Sequence, residues 1–598
     1  MLHQPAPVDW PVPSLGLPHG HHSDPSRSIQ WGDDMLSVHR FSLVLTVGCL
    51  LVGVTTAQEP PRSPEPPSPE SRPRTSDAPS AASKSPTDEA TRARVAAFAA
   101  EIDQLLEARL TQEQVVAAPL AEDAEFLRRA WLDVAGKIPP VTALREFQEE
   151  TRPDKRERML EALLEGPASL RHFSRLWRKV LLPETESSLE QRFLVPAFEA
   201  WLRQRLLQNV PYDRLVREIL ELTVDPRQAA NPFQPQPELN PLGFYQAKEL
   251  KPENLAAATA RMFLGVRIEC AQCHDHPFDD WKQEQFWGYA AFFAGLNRPE
   301  GQMLMSDQGD PIFESLGATE LAIPLKDKKV LPTWFDGELA EVGPRESPRK
   351  ILASWMVSGE NPYFARALVN RLWGHFFGQG LVDPIDDFTA ENPPSHPELL
   401  DLLARRFVEQ GYDVRLLIRA LTATRAYQRT SRQTDPSQAT PRLFSRMQVK
   451  GLSPDQIFDS IAQATGLTET GPTPLLPGQQ VSARESFLAA FNNSHDSPVE
   501  TQTTILQALQ LMNGDFMARA TDPAVSQTLS AIIEFPLQTH ADRVETLFLA
   551  TLGRPPTAPE REKMLKYVEA GGPTGDWREA LGDLFWALLN SSEFLFNR

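Results

Sequence analysis

Apolar residues recur at helical spacing along most of this chain, and prolines separate one such stretch from the next. Over 93–110 they fall on one face of a 3.6-residue repeat, which predicts a helix. The same spacing returns, between proline and glycine breaks, over 126–135, 141–150, 154–164 and 169–181. Alternating runs typical of strands are scarce, apart from short candidates at 302–323. The sequence therefore predicts a mainly α fold, a helical array in two domains with short irregular or β insertions between them.

The part of the chain before this region contains a pattern typical of an exported protein. Residues 1–34 show no periodicity and precede a second methionine, Met35, so we expect them to be a non-native extension. A short basic stretch, an apolar run over 41–54 and small residues before Gln58 then predict a signal peptide at 35–57. This run is shorter than the roughly 20 residues that span a bilayer. We expect cleavage, export to the periplasm or another extracytoplasmic space, and no stable membrane span.

The remaining segments follow from composition. Residues 58–92 are rich in proline, serine and glutamate and lack large apolar residues, which predicts a disordered linker. A helical domain is then expected at 93–297, a connector at 298–345 and a second helical domain at 346–598. The chain has 79 acidic and 60 basic residues and a net charge of −19. This charge argues against nucleic acid as the main partner, because polyanions are bound by basic surfaces.

One short segment concentrates the chemically special residues. Cys270 and Cys273 lie three positions apart, His274 follows directly, and His276 comes two residues later. Two thiols at this spacing can each form a thioether to a haem vinyl group, and the adjacent histidine can ligate the iron. Removal of the leader also removes Cys49, so these two thiols would be the only ones in the mature protein. The segment is a candidate site for one c-type haem.

The surroundings of the motif leave the haem assignment open. The motif is predicted to lie in a turn between helices at 252–264 and 282–296. The second helix carries aromatic residues that either wall a haem or pack as ordinary core: Phe286, Trp287, Tyr289, Phe292 and Phe293. No distal ligand is visible nearby. The distant candidates are Met262, Met303, Met305 and His375.

Two alternatives compete with haem at the same residues. Zinc would take Cys270, Cys273 and His276, with His274 beside them and a fourth ligand from a distant residue such as His375 or His396. A disulfide between the two cysteines is permitted by export. Spacing alone does not decide among the three.

Other polar residues carry weaker patterns. Asp383, Asp386 and Asp387 lack the ligand order of a calcium-binding EF-hand, so we expect a solvated turn. Ser395 and Glu398 suit a capping box at the start of a helix that runs to Gln410. The stretch 361–377 predicts a buried amphipathic helix whose arginines pair with acidic neighbours. No hydrolase or nucleotide-binding motif occurs, and no catalytic residue is predicted.

Several ordered motifs resemble two known families. The run CAQCHDHPFDDW at 270–281, with FLRRAWLD at 126–133 and PYDR at 211–214 before it, resembles the planctomycete cytochrome-like (PSCyt-type) domain. The runs NPYFARALVNRLW at 361–373, LATLGRP at 549–555 and ALLNSSEFL at 587–595 resemble the PSD-type domain that accompanies it in exported proteins. The resemblance implies two helical domains from families of unknown function.

These observations lead to two hypotheses. The first is an exported redox protein with one c-type haem, bound through Cys270, Cys273 and His274, that exchanges electrons with a protein partner. The second is an extracytoplasmic binding or scaffolding protein with a structural disulfide or zinc at the motif. Whether the chain is an enzyme is left open.

Overall fold

The structure, a computed structural model, describes residues 86–222, 239–277, 279–297, 313–467, 483–491 and 514–598. The predicted extension, signal peptide and most of the predicted linker lie outside the described residues, as do Met303 and Met305. All the elements below belong to one compact unit, which starts at Ser83.

Helices dominate the first half of the described chain, as the apolar spacing predicts. Their bounds are α1 (Pro86–Gln112), α2 (Asp123–Ala130), α3 (Val141–Glu149), α4 (Lys155–Glu165), α5 (Pro167–Leu181), α6 (Glu184–Ser187), α7 (Val195–Leu207), α8 (Tyr212–Leu220), α9 (Leu242–Ala247), α10 (Pro252–Thr259) and α11 (Gln283–Ala290). Helices α2 and α10 each continue as a π-helical turn, at Trp131–Ala135 and Ala260–Leu264.

The second half is also helical. Its helices are α12 (Pro348–Met356), α13 (Phe364–Phe377), α14 (Pro397–Glu409), α15 (Val414–Ala423), α16 (Arg425–Gln428), α17 (Pro454–Thr465), α18 (Ala483–Phe491), α19 (Asp515–Ala520), α20 (Gln527–Glu534), α21 (His540–Leu552), α22 (Ala558–Glu569), α23 (Trp577–Leu589) and α24 (Ser592–Leu595). Several begin with proline, which loses no hydrogen bond at the first helical position. The mainly α prediction is confirmed.

Strands are short and antiparallel in the described ranges. β1 (Leu296–Asn297) pairs with β2 (Phe313–Glu314), and β3 (Leu321–Ala322) pairs with β4 (Lys329–Val330). β5 (Lys450–Gly451) pairs with β6 (Phe596–Asn597), which joins the last residues of the chain to its middle. β2 and β3 lie within the stretch where strands are predicted.

Both predicted helical segments contribute to one hydrophobic core. Helix α1 packs against α14 and α15, and the π turn after α10 packs against α13. The largest apolar cluster accordingly runs from Val95 to Leu549 in the sequence. A second cluster lies among the C-terminal helices, yet it includes Leu132 and Ile138 from the N-terminal half. The two halves are therefore joined by packing as well as by the chain.

The start of α14 differs from its prediction. The N-cap residue is His396, and no side chain caps the helix. Ser395 instead places its Oγ 3.1 Å from Nδ1 of His396, and Glu398 is exposed. The predicted capping box is wrong, because the helix begins one residue later than the box requires.

Among the helices of the described ranges, none has the length and apolar character needed to cross a bilayer.

Candidate functional site

The cysteine motif lies on a 3₁₀ turn at the surface, between α10 and α11. The turn spans Glu269–Gln272 and is anchored from within by Ile268 and Ala271, which are both buried. Before it, the π turn of α10 ends at Gly265, whose φ is +70°. A Cβ at Gly265 would lie 2.6 Å from the ring of Phe388, so this approach requires glycine. The predicted interhelical placement is confirmed.

Helix α11 holds the turn through two side chains. Gln283, which is 5% exposed, donates from Nε2 to the carbonyls of Gln272 at 3.1 Å and Cys273 at 3.0 Å. The indole of Trp287 donates to the same Gln272 carbonyl at 2.9 Å. The backbone N–H of Gln283 donates to Asp275 Oδ1 at 3.0 Å, which lowers the pKa of that carboxyl. The backbone that carries the motif is therefore fixed while the motif's side chains face solvent.

The two thiols are accessible and unbonded. Cys270 and Cys273 are both exposed, and neither forms a disulfide. The disulfide alternative is not the state that the structure contains.

His274 is oriented by its neighbour. Its ring is exposed, and Nδ1 lies 2.7 Å from the carbonyl oxygen of Asp275. With the proton on Nδ1, this nitrogen donates to the carbonyl and Nε2 keeps its lone pair. Histidines that ligate metals commonly donate their second ring N–H to a backbone carbonyl in this way.

His276 has a different place. Its backbone N–H donates to the carbonyl of Trp281 at 2.7 Å, which closes the loop after the motif. In the described parts of the chain, no group of three or more His, Cys, Asp or Glu side chains is arranged to hold a metal ion. Zinc at Cys270, Cys273 and His276 stays a prediction.

The aromatic residues of α11 and the turn after it belong to the core. Phe286, Trp287, Tyr289, Phe292 and Phe293 are all buried, between 0% and 3% exposed. They therefore do not line an open pocket beside the motif. Trp281 is the half-buried aromatic residue of the motif's own loop, and its ring meets that of Phe335 at 4.9 Å.

The distant ligand candidates are engaged elsewhere. Nε2 of His375 contacts the carbonyl of Asp133 at 2.9 Å, among the rings of His172 and Phe173. Met262 is buried in the core, 8% exposed. His396 lies at the start of α14, where its ring meets that of Phe444. Neither His375 nor His396 joins the motif.

Two arginines that shortly precede the motif in the sequence, Arg261 and Arg267, form ion pairs with a buried carboxylate from the second half of the chain. Asp386 is 9% exposed and accepts hydrogen bonds from Arg261 at 2.5 Å and Arg267 at 2.5 Å. Burial favours the neutral acid, but the two guanidinium groups outweigh it and lower the pKa of Asp386. The predicted solvated turn is wrong at this residue, because two arginines from the other half of the chain cover it.

Glu269 directly precedes Cys270 and interacts electrostatically with the charges of this cluster. Burial raises its pKa, while its own backbone N–H and the charges of Arg261 and Arg267 oppose the rise. A carboxyl at the start of the turn is thus held closer to neutrality than an exposed one. Sequence patterns did not predict the ion pairs of Asp386 or the hydrogen bonds of Gln283, because only the fold identifies their partners.

The donor set fits a c-type haem in its chemistry. Two free thiols, a histidine with one nitrogen fixed by a carbonyl and a rigid supporting backbone are what covalent attachment and proximal ligation require.

Comparison with known proteins identifies two families. Residues 101–298 match PSCyt2, described as a protein of unknown function (DUF1549). Residues 348–494 and 479–568 match PSD1, described as a protein of unknown function (DUF1553). No curated protein and no solved structure matches the chain.

Proposed function

This chain carries a PSCyt2 domain followed by a PSD1 domain, and we propose that it is an exported protein that binds one c-type haem for redox chemistry. The observation that supports the proposal most strongly is the geometry at His274. Its Nδ1 is held by the Asp275 carbonyl, one residue after two exposed, unbonded thiols. No structural role in the described part of the chain accounts for these three exposed groups together.

Each residue has a distinct role in this proposal. Cys270 and Cys273 would hold the haem through their sulfur atoms, and His274 would bind the iron through Nε2. Gln283 and Trp287 keep the turn in place, so that the thiols and the histidine stay in register. A bound haem would supply one-electron transfer, or ligand binding if the distal side stays open.

The proposal also requires export of the chain. Covalent haem attachment through a CxxCH motif needs reduced thiols and dedicated machinery outside the cytoplasm, and the predicted signal peptide at 35–57 would bring the chain there. The partner that exchanges electrons is then another extracytoplasmic protein.

The test is covalent haem in the purified protein. Produced in a host with haem-attachment machinery, the mature chain should show a Soret band that survives denaturation. Cys270→Ala and Cys273→Ala should each leave one thioether, and the double variant should be colourless. A colourless wild-type protein would refute the proposal and favour a binding or scaffolding protein with a disulfide or zinc, which thiol titration and zinc analysis then distinguish.

The two histidines of the motif provide a matched pair. His274→Ala should keep the covalent haem and change its absorption spectrum, because the proximal ligand is lost. His276→Ala should leave the spectrum unchanged, since the histidine directly after Cys273 is the iron ligand in this proposal. A spectral change in His276→Ala, with none in His274→Ala, would show that His276 is the ligand and would contradict the role proposed for His274.

A further inference from the structure

Three side chains that lie far apart in the sequence, two arginines and a histidine, belong to elements that pack together, namely α1, α14 and the turn 441–443. Arg109 is in the last turn of α1, and His396 is the N-cap residue of α14. Arg442 lies in the 3₁₀ turn Pro441–Leu443, which packs against α1. The ring of His396 meets that of Phe444, two residues after Arg442, at 5.5 Å. Burial, and then the charges of Arg109 and Arg442, lower the pKa of His396 to about 4, so the ring is neutral at neutral pH.

These side chains bury polar atoms that have no partner. His396 is 5% exposed; its Nδ1 faces Ser395 Oγ, and its Nε2 is buried without a hydrogen bond. The same holds for Nε of Arg109 and for Nε and Nη2 of Arg442. A buried donor left without an acceptor costs about 1–3 kcal/mol, so native proteins rarely keep several of them together.

The positive charge at this place is only partly neutralised. Arg109 pairs with Glu113 at 2.9 Å, and these side chains are 39% and 40% exposed. Arg442 forms neither a hydrogen bond nor an ion pair with any side chain in the described ranges.

The start of α14 adds further donors. This helix has 13 residues, and no side chain caps its N-terminus. The first N–H groups of a helix lack acceptors within the helix, and its dipole favours a negative charge at this end. Pro397, the first helical residue, has no N–H, and Glu398 places a carboxylate in the first turn, so the donors at this end are the backbone N–H groups of Glu398 and Leu399.

We propose that Arg109, Arg442 and His396 form a binding site for a phosphate-type oxyanion, either inorganic phosphate or the phosphate group of a monoester. Guanidinium groups bind pairs of oxygen atoms through parallel N–H donors, and an oxyanion offers enough acceptors for all the unpartnered atoms at once. The site involves none of the motif residues at 270–276, so it does not rest on haem binding.

Calorimetric titration tests the site. Sodium phosphate is titrated into the mature full-length protein at neutral pH and constant ionic strength. We expect saturable binding of one phosphate per chain, and Arg442→Gln should weaken it by about tenfold or more, as expected for loss of a charge-assisted hydrogen bond. Arg152→Gln is the matched control: this exposed arginine pairs with Glu150, and its loss should leave the affinity unchanged. Absence of saturable binding, or equal affinity in wild type and Arg442→Gln, would overturn the proposal.

A second titrant distinguishes the two sources of phosphate. Phenyl phosphate should bind as well as inorganic phosphate if the site takes a monoester of a larger molecule, and much more weakly if the site encloses the free ion. Both results support the oxyanion chemistry, and they assign its source.

Unfolding in phosphate-free buffer separates binding from a structural role. Arg442→Gln should be at least as stable as wild type there, because it removes unpartnered buried donors. Phosphate should then raise the unfolding midpoint of wild type and of Arg152→Gln, but not that of Arg442→Gln. A clear loss of stability of Arg442→Gln without phosphate would show that the arginine is structural and would contradict the proposal.

Discussion

At the scale of single residues, Asp133 joins the two halves of the protein. It is 2% exposed and accepts hydrogen bonds from Tyr427 Oη at 2.9 Å, Lys450 Nζ at 2.7 Å and Asn597 Nδ2 at 2.7 Å. Burial lowers the pKa of Lys450, and the nearby carboxylate opposes that shift. One acidic side chain thus neutralises a buried lysine and fixes the last strand of the chain.

Replacement of this carboxylate should be costly. Asp133→Asn leaves the buried ammonium of Lys450 without its counter-charge, so we expect a loss of roughly 3–5 kcal/mol in the free energy of unfolding. Urea denaturation measures it. The control is Asp401→Asn, which breaks the exposed pair with Arg366 and should cost less than about 1 kcal/mol. Similar losses in the two variants would contradict the inference that Asp133 neutralises the buried ammonium of Lys450.

Histidine burial should make stability depend on pH. Burial, and then the charge of His375, lower the pKa of His172 from 6.5 to about 3. The unfolded chain therefore binds a proton that the folded chain does not between about pH 6.5 and 3. Stability from this group is fully present above pH 6.5 and is lost as pH falls, by up to about 1.4 kcal/mol per pH unit.

The measurement compares unfolding free energies of wild type and His172→Asn between pH 7 and pH 4.5. The wild type should lose stability more steeply than the variant on acidification, because the variant lacks the titrating ring. Equal slopes would show that His172 titrates normally in the folded protein.

Sequence reasoning at this scale succeeds where the residues are adjacent. Cys270, Cys273 and His274 are found from spacing alone; the structure places Cys270 in the 3₁₀ turn Glu269–Gln272, and Cys273 and His274 directly after it. Asp133 and His375 could not be assigned in this way, because their partners lie hundreds of positions away. Their signal is a charged residue in a predicted apolar stretch, which does not identify its partner.

At the scale of elements, helix α11 supports the motif from behind. Gln283 makes three hydrogen bonds to the turn and the loop after it, so we predict that Gln283→Ala loosens the segment 270–275. The free energy of unfolding should fall by about 1–3 kcal/mol, because the carbonyls of Gln272 and Cys273 lose their side-chain donor.

Hydrogen exchange provides the local readout. In Gln283→Ala, the amide of Ala271, which is bonded to the Ile268 carbonyl, should exchange faster than in wild type. Glu284→Ala, on the exposed face of the same helix, is the control and should leave this amide unchanged. Unchanged exchange in Gln283→Ala would mean that the turn is held by other contacts.

Element positions follow from local signals to within a few residues. The predicted helices at 141–150 and 169–181 correspond to Val141–Glu149 and Pro167–Leu181, since periodic apolar residues and prolines define both ends. The π turns at Trp131–Ala135 and Ala260–Leu264 were not predicted. An inserted residue of this kind is stabilised by tertiary contacts, which a repeat of 3.6 residues does not reveal.

At the scale of the whole molecule, the PSCyt2 and PSD1 segments share their interior. Arg128 is fully buried and donates to the carbonyls of Thr551 at 3.0 Å and Phe594 at 2.8 Å. Leu132 and Ile138 from the first segment complete the apolar cluster of the second. Composition and motif order separate two families, but these contacts could not be predicted, because they depend on how distant helices meet.

We therefore predict that neither half folds alone. Fragments 86–345 and 346–598 should each lack a cooperative unfolding transition, while the full chain should unfold with coincident transitions by fluorescence and circular dichroism. Each fragment would otherwise expose apolar surface and leave buried arginines or carbonyls unpaired. A fragment with its own sharp transition would contradict this prediction.

The central claim concerns what the two thiols carry, and intact mass measured under denaturing conditions tests it most directly. For mature protein exported from a host with haem-attachment machinery, the account predicts the mass of the chain plus one haem. The mass of the bare chain would contradict it, and a mass lower by two hydrogen atoms would instead identify a disulfide between Cys270 and Cys273.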